Sequence, residues 1–170
     1  MKISETLLPE FDEEMASTRK FLELLPDEKL GWKPHDKSMN LGQLAWHIAD
    51  MPAWCSDTLK QDTMTLSQDD YQKTVAAREG KGRKEMLSLF DKDVMDARTR
   101  LAATDDAAMA AQWKMIWGGQ TIVDMPRAQV LRKWVMNHLV HHRAQLGVYL
   151  RLNGIPIPGV YGPSADEMPS

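Results

Sequence analysis

Apolar residues recur at helical spacing through most of the chain. The first segment has one apolar stripe with spacings of three, four and seven residues: Leu8, Phe11, Met15, Leu22 and Leu25. This pattern predicts an amphipathic helix that ends at Pro26, because proline does not continue a helix. The polar stretch 31–37 that follows is typical of a loop.

A second helix is predicted to begin after Ser38, a residue type that caps helix N-termini. Its buried side is expected to carry Leu41, Leu44, Ile48, Met51 and Cys55. Pro52 lies inside this pattern, and we expect it to kink the helix without ending it, since the apolar pattern runs on to Leu59. A polar segment extends from Lys60 to Gly82.

Two further helices complete the pattern. The third is predicted from about Lys84 to Ala103, and its apolar face consists of Met86, Phe90, Val94, Ala97 and Leu101. The fourth follows Pro126 and stops at Asn153-Gly154. Its predicted inward stripe is Leu131, Val135, His138, His142, Gln145 and Tyr149. Between them, residues 113–124 contain Gly118-Gly119 and predict either a long ordered loop or a short hairpin.

Four long helices, each with one dominant apolar stripe, predict an all-α four-helix bundle. The chain has 170 residues, which suits a single domain, and 43% of them are hydrophobic, which excludes disorder. It has neither an internal repeat nor a low-complexity linker, so we assign one domain to residues 1–170.

The spacing of His138 and His142 is the first sign of chemistry. Residues four apart on a helix lie on one face, so the two imidazoles can converge on one metal ion. The HExxH motif uses the same spacing, but the glutamate of that motif is absent here. Burying two polar rings on an inward stripe costs free energy unless each ring finds a partner, and a metal would satisfy one nitrogen of each.

His47 falls on the inner side of the second predicted helix, between Leu44 and Met51. Three histidines from two helices predict a three-histidine metal site with an open position, which is typical of catalytic rather than structural zinc. The alternative is that all three are hydrogen-bonded core residues without a metal. His141 points about 60° away from His138 around the helix, which favours a flanking role, and His35 is expected at the surface.

The composition limits which residue types could bind a metal and which partners the protein could have. With Cys55 as its single cysteine, the chain has no internal disulfide or cysteine-built zinc site. A formal charge of −3 argues against a nucleic-acid surface, and we expect the short basic runs at 81–84 and 127–133 to be solvated faces. The absence of a long apolar run or a signal-peptide pattern predicts a cytoplasmic protein without membrane contact.

Two blocks of the sequence resemble the DinB-like (DinB/YfiT-type) superfamily of proposed metalloenzymes. The C-terminal block is 137–151, from Asn137 through His138, His142 and Arg143, and it continues to 156–167 with Tyr161-Gly162-Pro163. The N-terminal block is Trp32-Lys33-Pro34 followed by 44–49, which contains His47. Ala144 stands where relatives often carry glycine.

The resemblance implies an up-down-down-up four-helix bundle with a long crossover connection. It also implies one divalent metal held by His47, His138 and His142. Imidazole nitrogen is a suitable ligand for zinc, nickel, iron, cobalt or copper, and of these we favour zinc or nickel. Relatives are frequently homodimers, so we expect a homodimer, and characterised relatives include transferases and isomerases that use low-molecular-weight thiols.

We therefore expect a metal-dependent transferase that uses a small thiol. The reacting group on the metal would be either a water molecule or a thiolate, and the sequence does not distinguish them. A metal-dependent hydrolase and a non-enzymatic metal-binding dimer are the alternatives. The predicted neighbours of the site, in the pocket wall or behind the ligands, are Asp50, Met51, Trp54, His141 and Tyr149. Since the only cysteine is expected in the core, a reacting thiol would come from a small-molecule substrate.

Overall fold

A computed structural model describes residues 2–168 of the chain. Its α-helices are α1 Ile3–Glu23, α2 Leu41–Lys60, α3 Gln68–Ala76, α4 Arg83–Ala103, α5 Asp106–Ala110, α6 Arg127–Val130 and α7 Asn137–Leu152. Its strands are β1 Thr63–Leu66, β2 Gln112–Trp117 and β3 Gln120–Pro126. A 3₁₀ turn covers Asp27–Lys29, and a π-helical segment, Leu131–Met136, joins α6 to α7.

The four long helices α1, α2, α4 and α7 surround one core. Helices α1 and α2 each pack against both α4 and α7. The largest fully buried side chains include Phe11, Leu22, Leu44, Ile48, Phe90 and Leu139. The fold is thus mostly helical, as predicted, but a purely α-helical bundle is not confirmed because a small sheet is present. The up-down-down-up order of the helices stays a prediction. In the described part of the chain, no helix is long and apolar enough to cross a bilayer.

The sheet has the strand order β1-β2-β3. β2 and β3 form an antiparallel hairpin, which resolves the choice between loop and hairpin for residues 113–124. Gly118 and Gly119 make the turn with φ of +55° and +84°, and two successive positive φ angles are readily available only to residues such as glycine. The hairpin buries Trp113 and Val123 against Val130 in a second, smaller core beside the helices.

The polar segment from Lys60 to Gly82 contains β1 and α3, which the sequence did not predict. β1 runs parallel to β2, with Thr63 opposite Lys114 and Leu66 opposite Trp117. A four-residue strand that pairs with a partner about 50 residues away leaves little local signal. Ser67 caps α3 by accepting the backbone N–H of Asp70.

The N-terminus of α2 corrects a predicted boundary. Asn40, and not Ser38, is the cap: its side-chain oxygen accepts the Gln43 backbone N–H at 2.7 Å, and Gln43 Oε1 accepts the Asn40 N–H at 2.9 Å. This reciprocal pair satisfies two N–H groups at once, which the Ser38 hydroxyl does not. Helix α2 continues through Pro52 to Lys60, as expected, whereas α1 ends at Glu23, before Pro26.

Arg127 corrects the expectation that the run 127–133 is a solvated face. Its side chain is buried, and its Nε donates a 2.8 Å hydrogen bond to the Thr58 carbonyl near the end of α2. Its Nη2 pairs with Asp62. The guanidinium therefore caps α2 and ties it to the start of α6, an arrangement that favours arginine because it has five donors in a planar fork.

The C-terminal motif residues join the tail to the bundle. Arg143, whose side chain is only 3% exposed, lies 2.7 Å from Glu14 Oε2 across α7 and α1. The Tyr161 hydroxyl donates to Glu14 Oε1 at 2.7 Å, and Arg143 Nη2 donates to the same hydroxyl at 3.0 Å. Arg143 Nη1 also donates to the Glu14 carbonyl at 3.1 Å. This network fixes the tail against α1 and α7: Arg143 and Glu14 are buried, Tyr161 covers them from the solvent side, and Arg143 directly follows His142 in the chain.

Candidate metal centre

The structure brings three of the five histidines together. His47 of α2 faces His138 and His142 of α7, and the Nε2 atoms of His47 and His138 lie 3.5 Å apart. The Nε2 atoms of His138 and His142 are separated by 2.9 Å. All three ligand atoms lie within 4.8 Å of one another. One potential donor atom of each ring therefore points to a common centre.

The π-helical segment before α7 changes where these histidines lie. A strict α-helical continuation of Leu131 and Val135 would put positions 138 and 142 in the middle of the buried face. The π segment holds more residues per turn than an α-helix, so the apolar stripe shifts by about one position along the sequence after it. The fully buried leucines of α7 are Leu139, Leu146 and Leu150. His138 is consequently half-buried at the edge of the core, and Gln145, predicted to face inward, is exposed. A ligand can reach a site at this edge.

The protons on the rings indicate that a cation fits between them. A neutral imidazole carries one N–H, and the Gln145 amide oxygen lies 2.7 Å from His142 Nδ1, where it accepts that proton. His142 Nε2 is then a lone pair directed at His138 Nε2. If His138 carries its proton on Nε2 and donates it to His142 Nε2, its buried Nδ1 has a lone pair that accepts no hydrogen bond. A cation bound by all three Nε2 lone pairs removes this conflict.

The separations suit a first-row divalent ion. Zinc–nitrogen bonds of about 2.0–2.1 Å in tetrahedral geometry place two ligand atoms roughly 3.3 Å apart. The observed 2.9 and 3.5 Å lie on either side of that value. The donor set of three imidazoles also suits zinc, nickel, copper, iron or cobalt rather than magnesium or calcium. The residues present therefore fit the metal that the sequence predicts.

Burial keeps the three rings neutral, the state in which they bind metal. Desolvation, together with the nearby His142, His138 and Arg78 charges, lowers the pKa of His47 to about 4. Desolvation also lowers the pKa of His138 and of His142, although the Trp134 backbone and the Gln145 side chain partly oppose the shift in each case. Protons therefore compete weakly with a metal at neutral pH.

These pKa shifts predict that the metal-free protein loses stability in mild acid. Because the pKa of His47 is about 4 in the folded chain and about 6.5 when unfolded, the unfolded chain binds more protons between these values. The contribution of the neutral His47 ring to the stability of the folded chain is complete above pH 6.5 and is lost as the pH falls towards 4. Urea unfolding of metal-free protein across this range measures the loss. A His47→Gln variant should lose less stability than the wild type, and an equal loss would contradict the assignment.

Gln145 contacts the histidine cluster, although the sequence predicts it only as part of the inward stripe of the helix. Its bond to His142 Nδ1 fixes the ring so that Nε2 faces the other two histidines. Spacing gives the clue, since a residue three positions after a ligand lies next to it on a helix. We expect Gln145→Leu to weaken zinc affinity about tenfold, as loss of such a ring partner typically does. Isothermal titration checks this, and Gln145→Glu, which keeps an acceptor, should retain tight binding.

Two tryptophans form aromatic walls around the histidines. The Trp54 ring centroid lies 5.4 Å from that of His47 and 5.6 Å from that of His138, so this ring is next to the histidine cluster. Trp134, which the sequence analysis did not select, lies 6.3 Å from His138 in an edge-on arrangement. These two rings make one side of the histidine cluster apolar.

The other predicted neighbours divide into two groups. His141 lies 4.9 Å from His142 between ring centroids but is exposed, which agrees with a flanking role. Asp50 is hydrogen-bonded to Arg78 and not to a histidine ring. Met51 is fully buried in the core. Tyr149 stacks edge-on with Trp32 at 5.5 Å and donates to a loop carbonyl, so its contacts lie away from the histidine cluster.

Comparison with known proteins places the chain in a family. A model of the DinB family matches residues 1–169. The chain belongs to the DinB family. The resemblance inferred from the two sequence blocks is thereby confirmed. In this DinB-family member, the fold brings together three of the four histidines that those blocks contain, namely His47, His138 and His142, and leaves out His141.

Relatives of this DinB-family chain agree with its fold. The uncharacterized protein YrdA of Bacillus subtilis is 27% identical over 161 residues, which cover 94% of this chain and 89% of YrdA. A DinB-like protein from Bacillus cereus has a TM-score of 0.68 and 25% identity, with 92% of this chain and 97% of that chain covered. The DinB-like protein YjoA of Bacillus subtilis has a TM-score of 0.64, 17% identity and coverage of 91% and 96%. The last likeness concerns the fold alone.

Proposed function

We propose that this protein binds one divalent transition-metal ion, zinc or nickel, through the Nε2 atoms of His47, His138 and His142. The observation that carries the proposal is that the three rings converge from two helices. Because Gln145 accepts the proton of His142 at Nδ1, the rings cannot satisfy all of their nitrogen atoms by hydrogen bonds to one another. Membership of the DinB family supports it as well, since the match spans residues 1–169 and so covers all three histidines.

Three protein ligands leave one position of a four-coordinate ion free for a substrate, which is typical of a catalytic metal. When bound, the ion would act as a Lewis acid that stabilises a negatively charged substrate atom. The chain's own groups hold this arrangement: Gln145 orients His142, and Trp54 and Trp134 pack against His47 and His138 on one side.

A transferase acting on a low-molecular-weight thiol is the activity we propose. Burial raises the pKa of the Cys55 thiol to about 12, so this residue stays protonated and cannot be the nucleophile at neutral pH. A thiol substrate brings its own sulfur, and a metal site built only from imidazoles leaves a position for it. The tryptophan walls suit an apolar electrophile next to that sulfur.

Turnover assays on the metal-loaded protein test this activity. Glutathione, bacillithiol or mycothiol is incubated with a small electrophile, and formation of the thioether is measured by mass spectrometry. We expect turnover with at least one thiol and its loss in His138→Ala. Hydrolysis of an ester or amide panel without any thiol would favour a hydrolase instead. Metal binding without turnover in both panels would favour a non-enzymatic metal protein.

A further inference from the structure

A second concave site lies against α2. This open cavity of about 690 Å³ is lined by α2, the end of α3, α4 and the segment that joins α3 to α4, and none of the three clustered histidines lines it. Trp46 and Asp50 of α2 contribute to one wall. Its volume falls within the roughly 300–1,000 Å³ typical of small-molecule sites. We name it the basic cavity because of its charged residues.

Cations outnumber carboxylates around the basic cavity. Four cationic side chains line it, namely Arg78, Lys81, Lys84 and Lys92, against the two carboxylates of Asp50 and Glu85. This local excess occurs in a protein whose formal net charge is −3. Within residues 2–168, none of the three lysines makes an ion pair. A cleft lined with one sign of charge concentrates ligands of the opposite sign.

The two carboxylates already have partners. Asp50 accepts a hydrogen bond from Arg78 Nη2. Glu85 Oε2 accepts the backbone N–H of Gly82 at 3.1 Å and so closes the N-terminus of α4. Neither group is directed at the lysines, so the positive charge of the rim stays available to a ligand.

Arg78 supplies directional donors at the base of the basic cavity. Its guanidinium carbon lies 5.4 Å from the Trp46 ring centroid, and its side chain is 17% exposed. Apart from the bond from Nη2 to Asp50, its N–H groups donate to no acceptor in the described part of the chain. A planar fork with spare donors matches a carboxylate or a phosphate.

The uncharged part of the wall is mainly apolar, with the hydroxyl groups of Thr74 and Ser88 beside it. Trp46, Ala77 and Leu89 line the cavity between the charged groups, and Trp46 is only 7% exposed. A bare inorganic ion would leave these surfaces in contact with water, whereas an organic ligand would cover them. A cavity with cations at its rim and apolar side chains between them suits a ligand that has both an acidic group and an apolar group.

We propose that the basic cavity binds a small organic anion, a carboxylate or a phosphate ester that carries a compact apolar group. Its acidic group lies against Arg78 and the rim lysines, and its apolar group packs on Trp46 and Leu89. The proposal does not require the metal centre, because none of the three metal-site histidines lines this cavity. It also gives the basic run 81–84 a binding role in place of the solvated face that the sequence predicts.

The test is a calorimetric titration of the full chain at low ionic strength with benzoate, phenyl phosphate, inorganic phosphate and benzyl alcohol. Benzoate and phenyl phosphate distinguish a carboxylate site from a phosphate site. We expect saturable binding of at least one of them, weaker binding of inorganic phosphate and benzyl alcohol, and loss of affinity with added salt. The same result is expected in His138→Ala, which separates this site from the proposed metal function.

A double variant, Lys81→Glu with Lys84→Glu, should weaken binding of the anion by about tenfold or more, since two charged partners are reversed. The matched control is Lys20→Glu with Lys133→Glu, which makes the same charge change at exposed positions outside the cavity. It should retain wild-type affinity. The proposal is overturned if neither aromatic anion binds, if both double variants lose affinity equally, or if benzyl alcohol binds as tightly as the anions.

Discussion

Replacing Arg143 with methionine should lower the free energy of unfolding by about 3–5 kcal/mol, among the largest effects of any single substitution in this protein. The substitution leaves the Glu14 carboxylate buried without its positive partner, and it removes the hydrogen bonds that Arg143 donates to Thr18 and to Tyr161. Urea unfolding monitored by tryptophan fluorescence and circular dichroism measures the change.

Two further variants distinguish a buried charge from a general loss of packing. Glu14→Leu combined with Arg143→Met should cost much less than the sum of the two single changes, because no unpaired charge is left in the core. Arg132→Ala is the matched control: it breaks an exposed ion pair with Glu10 between the same two parts of the bundle and should cost less than about 1 kcal/mol. Additive single effects would contradict the proposed role of the buried pair.

The second large effect concerns metal addition. A ligand that binds only the folded chain stabilises it by about 2.7 kcal/mol at a hundredfold excess over its dissociation constant. Zinc at that excess should therefore raise the unfolding midpoint of the wild type by several degrees. His138→Ala should abolish the rise, because His138 Nε2 lies between those of His47 and His142 and contacts both.

His141→Ala is the control for this experiment. His141 is the immediate chain neighbour of His142, but its side chain is exposed and is not one of the three converging rings. The variant should keep the full stabilisation by zinc. Equal losses in His138→Ala and His141→Ala would mean that zinc binds at the surface of α7 and not between α2 and α7.

The sequence predicts those parts of the fold whose signals are local. The apolar periodicity of the third helix gives α4 within one residue of its observed start, and Gly118-Gly119 marks the hairpin turn. The three clustered histidines are identified correctly, because i, i+4 spacing on one helix and an inward position on another are both readable from a single chain.

Non-local features account for what the sequence does not predict. The π segment depends on packing, and it moves the apolar stripe so that Gln145 lies at the surface and Leu146 in the core. β1 depends on a partner strand across the fold. The burial of Arg127 depends on the free carbonyl of Thr58 at the end of α2. Asp50, one turn from His47, turns to Arg78 because α3 brings that cation alongside.

The central claim is that His47, His138 and His142 together hold one metal ion. Equilibrium dialysis against zinc, followed by measurement of bound zinc per chain by mass spectrometry, tests it most directly. The account predicts one ion per wild-type chain, one per His141→Ala chain, and none in each of the three variants His47→Ala, His138→Ala and His142→Ala. Zinc-free wild-type protein, or one ion retained in all three alanine variants, would contradict it.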